Sequence, residues 1–146
     1  MENFSGVIKN ANHKDLIQFE DSGSISFNFT NGAIGNLNYT TSCYESNMEG
    51  SIVVFAEHGT IKVGGKYLNA IEFQKTAGFD IQNIITSAPA NNYGDYQGSM
   101  SNHDQLIDNV IQTLKGKESI MTTASEGLKV VEIIENMYKS VRWIKL

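Results

Sequence analysis

The first half of the chain alternates between apolar and polar residues with a period of two, which is typical of β-strands with unlike faces. Residues 24–29 read Ser-Ile-Ser-Phe-Asn-Phe, and Asn31-Gly32 then indicates a hairpin because both residues tolerate a positive φ. We predict the second strand of this hairpin over residues 33–42. No helical period interrupts residues 4–73, so this half is expected to form an antiparallel meander.

Three further strands are predicted in the same half of the chain. The apolar run 52–55 is followed by a turn at Glu57-His58-Gly59, a partner strand at 61–63 and a second turn at Gly64-Gly65. The last strand is expected to cover residues 67–73. His58 is then an exposed turn residue, since such positions favour polar side chains.

Near residue 104 the apolar period changes from two to about 3.6, which indicates amphipathic helices. The first helix is predicted to place its apolar side chains within 106–114 and to end at Lys115-Gly116. The second helix is expected to begin near Thr123, with Glu126 in the capping position, and to run to Val141.

Two arrangements are compatible with the start of the first helix. Asn102 with Gln105 fits a capping box, and Ser101 with Asp104 fits a looser version of it. His103 would lie in the first turn, near unpaired backbone donors that favour a neutral imidazole. Its side chain is expected to make either a structural hydrogen bond or a ligand contact.

These elements predict an α+β fold, with an open, mainly antiparallel sheet and helices packed on one face. Phe27, Leu37 and Tyr39 are expected to point toward the helices. The other face would carry amides and hydroxyls, namely Ser26, Asn28, Asn36, Asn38 and Thr40. A face with so little charge is either plain solvent surface or a subunit contact, and we expect a homo-oligomer formed sheet to sheet.

Composition narrows the class of protein. The length of 146 residues fits a single domain, 1–146, and the net charge of -5 provides no basic stripe, so neither nucleic acid nor a membrane is expected as a partner. Cys43 is the single cysteine, which excludes an internal disulfide and a multi-cysteine metal site. We therefore expect a cytoplasmic protein, and Cys43 to be a buried or half-buried structural thiol.

The search for catalytic motifs is negative. The sequence contains no G-x-G-x-x-G, P-loop, H-E-x-x-H or G-x-S-x-G pattern, and its three histidines are far apart. His13 is expected to be a solvated turn residue. No metal site is predicted, because no histidine lies beside a cluster of carboxylates.

Residues 91–104, reading NNYGDYQGSMSNHD, combine tyrosines, amides, hydroxyls and a histidine with almost no aliphatic side chain. Polar and aromatic groups on a loop are typical of ligand contacts, although an ordinary solvated connection has the same composition. Tyr93 and Tyr96 can stack on a flat ring or fill a seam between subunits.

Three segments of the chain, taken in order, are characteristic: Glu20-Asp21-Ser22, residues 29–35 (FTNGAIG) and residues 57–65 (EHGTIKVGG). Together they resemble the C-terminal domain of the Gfo/Idh/MocA oxidoreductases. Residues 126–140 are similar to the last helix of that family, which precedes a short terminal strand. Within the family, residues 65–69 and 91–104 look closest to nucleotide-sugar 3-dehydrogenases, which act on UDP-N-acetylglucosamine-type substrates, notably the glucosaminuronate.

The resemblance covers essentially the whole chain, but only about the second half of a family member. The family's N-terminal Rossmann domain, which holds NAD, its Glu-Lys-Pro lysine and its catalytic histidine have no counterpart here. No catalytic role therefore transfers to His13, His58 or His103, and the chain alone is expected to bind no dinucleotide. NAD is implied as the cofactor of the full-length parent.

The resemblance implies a domain that contributes substrate contacts and an oligomer interface to a sugar or nucleotide-sugar dehydrogenase, with a UDP-sugar-type substrate shared with the missing Rossmann domain. The candidate substrate-binding residues are Tyr67, Asn69, Tyr93, Tyr96, Ser101, Asn102 and His103. The chain is expected to be an excised domain. The alternatives are half of a split enzyme and a stand-alone, non-catalytic binding or oligomerisation module.

Overall fold

The structure is a computed structural model that describes residues 1–81, 90–94, 97–100 and 102–144. The chain divides into two compact units. Unit 1 contains Met1–Tyr44 and Thr122–Leu146, and unit 2 contains Glu45–Met121. Unit 1 is therefore built from the two ends of the chain, and unit 2 is inserted between them.

The described residues form eleven helices and strands. In chain order these are β1 (Glu2–Lys9), β2 (Ser22–Asn28), β3 (Ile34–Thr40), β4 (Ile52–Ala56), β5 (Gly59–Gly64), β6 (Ala70–Thr76), β7 (Ala90–Asn92), β8 (Gln97–Met100), α1 (His103–Leu114), α2 (Ala124–Ser140) and β9 (Arg142–Trp143).

Unit 1 contains a four-stranded sheet in the order β3-β2-β1-β9. The pairs β3-β2 and β2-β1 are antiparallel, and β9 joins β1 in parallel, with Ile8 opposite Trp143. The turn between β2 and β3 contains Gly32 at a φ of 89°, and the backbone N–H of Phe29 donates to the carbonyl of Ala33 at 2.8 Å. The predicted Asn31-Gly32 hairpin is therefore confirmed.

One face of this sheet carries three cross-strand pairs of polar side chains. Ser24 donates to Asn38 at 2.8 Å and Ser26 donates to Asn36 at 2.7 Å. The hydroxyls of Ser22 and Thr40 lie 2.8 Å apart. These six residues are defined as the polar ladder, and none of them carries a charge.

The opposite face of the sheet packs against α2. Ile8 and Ile25 are 1% and 4% exposed, and Leu37 and Tyr39 border the same space as Ile134 of α2. Phe27 lies on this face too, where its ring covers Gly35 of β3. The predicted facing of Phe27, Leu37 and Tyr39 follows from the period-two alternation and agrees with this arrangement.

Unit 2 contains the antiparallel sheet β4-β5-β6, the two-stranded sheet β7-β8 and helix α1. The hairpin between β4 and β5 is confirmed, with Ala56 opposite Gly59 and His58 exposed in the turn. The next strand begins later than predicted. Tyr67 and Leu68 lie in a turn, with Leu68 at a φ of 58°, and β6 begins at Ala70.

Helix α1 ends as predicted and begins differently. The backbone N–H of Lys115 donates to the carbonyl of Ile111, and Gly116 follows at a φ of 70°. Asn102 is the N-cap residue, but its side chain makes no capping hydrogen bond, so the predicted Asn102–Gln105 capping box is wrong. The φ of -114° and ψ of 8° at Asn102 are not the extended geometry from which a capping side chain normally reaches the first turn.

Helix α2 begins with the predicted capping box. The backbone N–H of Glu126 donates to the hydroxyl of Thr123 at 3.3 Å, and the Glu126 carboxylate accepts from the backbone N–H of Thr123 at 2.8 Å. Each side chain satisfies a backbone donor that the helix leaves free. The helix then ends at Ser140, directly before β9.

The α+β class with open, mainly antiparallel sheets and two helices is confirmed. The described strands belong to three sheets instead of one continuous meander. None of the described helices combines the length and apolarity needed to cross a membrane. The assignment of residues 1–146 to a single domain stays a prediction.

Candidate functional site

The predicted substrate-binding residues that the structure describes all lie in unit 2. Tyr67 and Asn69 belong to the turn between β5 and β6, Tyr93 follows β7, and Asn102 and His103 form the start of α1. Tyr96 and Ser101 lie outside the described residues. The candidate site is thus divided among three segments of one unit.

The turn of residues 65–69 is held by backbone hydrogen bonds. The N–H of Asn69 donates to the carbonyl of Gly64 at 3.0 Å, and the N–H of Gly50 donates to the carbonyl of Gly65 at 3.1 Å. Gly65 has a φ of 81°, and a Cβ there would meet the Asn69 amide oxygen at 2.5 Å. Glycine is needed at position 65 on both grounds, and the turn holds the Asn69 side chain against its own backbone.

Three charged side chains support this turn, namely Lys62 of β5, Glu72 of β6 and Glu49, which precedes β4. Nζ of Lys62 lies 2.9 Å from a Glu49 oxygen and 2.6 Å from a Glu72 oxygen. The other Glu72 oxygen accepts from the backbone N–H of Gly65 at 2.8 Å. The bonds to Lys62 and Gly65 lower the pKa of Glu72, and those to Glu72 and Glu49 raise the pKa of Lys62. The glycine N–H is thereby fixed by a charged acceptor.

Residues 90–100 contain a two-stranded hairpin. Ala90 lies opposite Met100 and Asn92 lies opposite Gln97, so the connection between β7 and β8 includes Tyr93. The Asn92 side chain accepts from the backbone N–H of Gly94 at 3.0 Å, and Gly94 has a φ of 85°. The Tyr93 side chain is 67% exposed at this tip. Most of the polar segment 91–104 therefore belongs to a hairpin and to the start of a helix. It is not the simple loop that was one of the expectations.

At the start of α1 lies a buried acceptor for which the described residues supply no donor. The carbonyl of Asn102 accepts from the N–H of Leu106 at 3.2 Å, as in an ordinary first turn. Its side-chain oxygen Oδ1 is buried and has no hydrogen-bond partner among the described residues. His103, directly beside it, is exposed. A buried amide oxygen of this kind normally finds a donor, which a ligand hydroxyl or amide can supply.

A buried carboxylate in unit 1 was missed by the sequence interpretation. Asp21 is 0% exposed, and its oxygens accept from the backbone N–H groups of Ala11 at 3.0 Å and Asn12 at 2.8 Å. It also accepts from Ser22 at 3.0 Å and lies 3.0 Å from Nδ1 of His13. The prediction that His13 is solvated is wrong, because the imidazole is half-buried against this carboxylate.

The surroundings of Asp21 favour its ionised form. Burial raises the pKa of this carboxyl group, but the hydrogen bonds from Ala11, Asn12, His13 and Ser22 outweigh burial and hold the pKa well below its usual range. The buried carboxylate stabilises the connection between β1 and β2 by accepting hydrogen bonds from its backbone. The segment Glu20-Asp21-Ser22 resembled the family, but no local pattern indicated that Asp21 is buried.

A second carboxylate, Glu20, joins the sheet to α2. One of its oxygens accepts from the hydroxyl of Tyr39 at 2.9 Å and from that of Tyr138 at 2.5 Å. Burial and the Glu20 carboxylate raise the pKa of Tyr39 above its usual range. The hydrogen bond to Glu20, with burial, raises the pKa of Tyr138 to about 12. Both phenols are thereby kept as donors.

The described residues show neither a glycine turn typical of dinucleotide binding nor a cluster of potential metal ligands. Gly32 and the pair Gly64-Gly65 lie in turns between antiparallel strands, and neither precedes a helix whose N-terminus could receive a diphosphate. No group of three or more potential metal ligands occurs within the part of the chain that was searched. His58 lies in the exposed turn between β4 and β5, and its Nε2 atom is 3.7 Å from Oε1 of Glu57.

Comparison with known proteins relates the whole chain to one family. The model of an oxidoreductase family's C-terminal alpha/beta domain, that of the Gfo/Idh/MocA proteins, matches residues 3–146. No curated protein gives a significant match to the sequence.

Two solved structures are similar to the chain. The WlbA dehydrogenase from Bordetella pertussis, in complex with NADH and UDP-GlcNAcA, is 28% identical, with a TM-score of 0.70 over 94% of this chain. The WlbA dehydrogenase from Chromobacterium violaceum, with the same two ligands, is 29% identical, with a TM-score of 0.75 over 94% of this chain. The matched regions are 35% and 36% of those chains, so this chain spans about a third of their length.

Proposed function

Since the chain belongs to the family of Gfo/Idh/MocA oxidoreductase C-terminal alpha/beta domains, we propose that it is the substrate-contacting and oligomer-forming domain of an NAD-dependent nucleotide-sugar dehydrogenase. The observation that carries this proposal is the similarity to two dehydrogenases whose structures contain NADH and UDP-GlcNAcA. A UDP-sugar of this type is the substrate class that we propose for the intact protein.

The chemistry of the candidate residues supports contact with a sugar nucleotide. Asn69 and Asn102 offer amide groups, which donate to and accept from sugar hydroxyls. Tyr67 and Tyr93 offer amphipathic rings, and an aromatic ring can stack on a nucleobase while its hydroxyl stays hydrated. Ser101, Tyr96 and His103 complete the proposed set. These residue types fit the hydroxyl-bearing sugar and the nucleobase of such a ligand better than they fit a purely apolar ligand.

We assign no catalytic step to this chain. In the proposed parent enzyme, a sugar hydroxyl is oxidised to a ketone as hydride passes to NAD, and orientation of the reactants is the protein's contribution. Gly32 and the pair Gly64-Gly65 lie at turns between antiparallel strands, so NAD binding is assigned to a separate Rossmann domain of the parent. The chain alone is proposed to be catalytically incomplete.

The oligomeric part of the proposal rests on the polar ladder. Its six serine, asparagine and threonine side chains are already paired across β2 and β3, so a facing copy need not desolvate any charge. Amide and hydroxyl groups can also donate to and accept from the same groups of a second copy. We propose that this face forms a homo-oligomer by sheet-to-sheet contact.

Calorimetric titration of the intact protein with UDP-GlcNAcA and with NAD tests the proposal. Binding of both ligands and formation of NADH on mixing are expected for the intact protein, and neither NAD binding nor NADH formation for residues 1–146 alone. An intact protein that binds neither ligand would contradict the dehydrogenase assignment. NAD binding by residues 1–146 alone would contradict the assignment of NAD binding to a separate Rossmann domain.

A stand-alone binding or oligomerisation module is the competing function. The coding sequence upstream of Met1 separates the two proposals. An in-frame strand–G-x-G-x-x-G–helix unit followed by a Glu-Lys-Pro segment supports the dehydrogenase. A stop codon immediately upstream supports the module or a split enzyme, which titration with a co-expressed Rossmann protein would then distinguish.

A further inference from the structure

A cavity of about 180 Å³ lies between α2 and the four-stranded sheet of unit 1. Ile8 and Ile25 line it from the sheet, and Ile134 and Met137 line it from the helix. An apolar cavity of roughly 150 Å³ accommodates a molecule of the size of benzene. The space in unit 1 is therefore large enough for a small organic molecule of about six heavy atoms.

One of the residues that line this cavity, Glu20, carries a carboxylate. Glu20 lines the cavity and is 9% exposed, and its Oε1 atom accepts hydrogen bonds from both Tyr39 and Tyr138. Its Oε2 atom is buried and has no hydrogen-bond partner among the described residues. An ionised carboxylate can accept on both oxygens, and a buried acceptor left without a donor destabilises the folded state.

The missing group must be a donor that also fits an apolar space. No Lys, Arg or His side chain forms an ion pair with Glu20 within the described part of the chain. A buried carboxylate without a cation is costly, and an ammonium group supplies both the charge and the donor. Tyrosine rings around such a group add a favourable contact with the cation.

We propose that this cavity binds a small primary alkylammonium ion, whose nitrogen donates to Oε2 of Glu20 while its alkyl chain packs against Ile8, Ile25 and Met137. The residues that line this cavity belong to unit 1, whereas the proposed sugar-nucleotide contacts belong to unit 2. The two proposals can therefore fail independently. No covalent step is involved, but the Glu20 carboxylate must rotate to bring the buried Oε2 atom to the ligand.

Titration of the intact protein with isopentylammonium chloride, followed by methyl NMR of Ile8 and Met137, tests this proposal. Saturable shifts of both methyl signals are expected. Isopentyl alcohol, which has the same carbon skeleton but no charge, should bind at least about tenfold more weakly, because a charge-assisted hydrogen bond contributes roughly 1.5 kcal/mol or more. This comparison needs no variant and so does not depend on the folding of one.

Two variants sharpen the test. Glu20→Gln keeps an acceptor for the tyrosines and removes the negative charge, and it should weaken binding of isopentylammonium by at least about tenfold. Glu132→Gln removes the same charge from an exposed position of α2 and should bind like the wild type. Equal affinity for the amine and the alcohol would overturn the proposal. Unchanged methyl signals, as expected for a cavity that holds only water, would overturn it too.

Discussion

Nδ1 of His13 lies 3.0 Å from Oδ2 of Asp21, and the aspartate side chain is completely buried. The same oxygen accepts from the backbone N–H groups of Asn12 at 2.8 Å and His13 at 3.2 Å. The carboxylate thus fixes the polar segment between β1 and β2 by hydrogen bonds. Because the carboxylate is buried, water does not compete for its oxygens.

The stability of unit 1 should depend on pH through Asp21. Its pKa in the folded state lies below the usual value of about 4, so the ionised form of Asp21 is favoured more in the folded state than in the unfolded state. This contribution is fully present above roughly pH 4 and is lost as the pH falls below it. Thermal unfolding followed by circular dichroism between neutral and acidic pH should show the loss.

The matched variants are Asp21→Asn and Asp15→Asn. Asp21→Asn should lower the melting temperature at neutral pH and flatten its dependence on acidic pH, since the titrating group is gone. Asp15 is exposed in the same segment, and its variant should retain the acid dependence of the wild type. An unchanged acid profile for Asp21→Asn would contradict the assigned role.

The start of α2 gives a second prediction. Thr123→Ala removes the hydroxyl that accepts from the N–H of Glu126, and it should lower the free energy of unfolding by about 1 kcal/mol. Thr123→Ser keeps that acceptor and should restore most of the loss. Chemical denaturation measures both. Thr122→Ala, one residue earlier and exposed, is the control and should stay within roughly 0.5 kcal/mol of the wild type.

These two sites show what the sequence could predict. The Thr123–Glu126 capping box and the Asn31-Gly32 hairpin depend on residues close in the chain, and both were predicted from their spacing. The role of Asp21 depends on donors about ten residues away, which no local pattern reveals. The prediction of a capping box at Asn102 was wrong for a related reason. The spacing of Asn102 and Gln105 fits a capping box, but the backbone angles of Asn102 do not.

The candidate site was predictable only as a set of segments. Composition and resemblance selected Tyr67, Asn69, Tyr93 and the start of α1, and the structure assigns all of them to unit 2. The support from Lys62 and Glu72 was missed, because these residues come together only when β5 pairs with β6. Contacts across strands depend on register, which alternation alone does not fix.

A third prediction concerns stability at alkaline pH. The folded state raises the pKa of Tyr138 to about 12, chiefly through its hydrogen bond to Glu20. A raised pKa means that the stabilisation is complete below the unfolded value, roughly 10, and is lost as the pH rises above it. Chemical denaturation at increasing pH should therefore show falling stability.

Tyr138→Phe should reduce this alkaline loss and lower the free energy of unfolding at neutral pH by about 1 kcal/mol, because the Tyr138 side chain is partly exposed. Tyr44→Phe changes a side chain that is 88% exposed and should behave like the wild type at both pH values. Identical alkaline profiles for Tyr138→Phe and the wild type would contradict the Glu20–Tyr138 contact.

The proposed sheet-to-sheet contact gives a fourth prediction. Asn38→Asp introduces a carboxylate into the polar ladder, and in a symmetric dimer each face would then carry the new charge. Like charges across an interface should weaken self-association by at least about tenfold. Analytical ultracentrifugation of the intact protein measures this. Asn136→Asp adds the same charge on α2 and should not change the sedimentation, and a wild type that stays monomeric at high concentration would contradict the contact.

The last prediction tests the turn of residues 65–69 as part of the substrate site. Asn69→Ala removes an amide from the turn without altering the N–H that bonds to Gly64, and Tyr67→Phe removes only a hydroxyl. Each should raise the dissociation constant of UDP-GlcNAcA in the intact protein by about tenfold, the usual effect of one lost hydrogen bond in a binding site. Affinity for NAD should stay unchanged, because the cofactor is assigned to another domain. Asn47→Ala and Tyr44→Phe, both exposed, are the controls, and an equal effect on NAD would indicate misfolding instead of lost substrate contact.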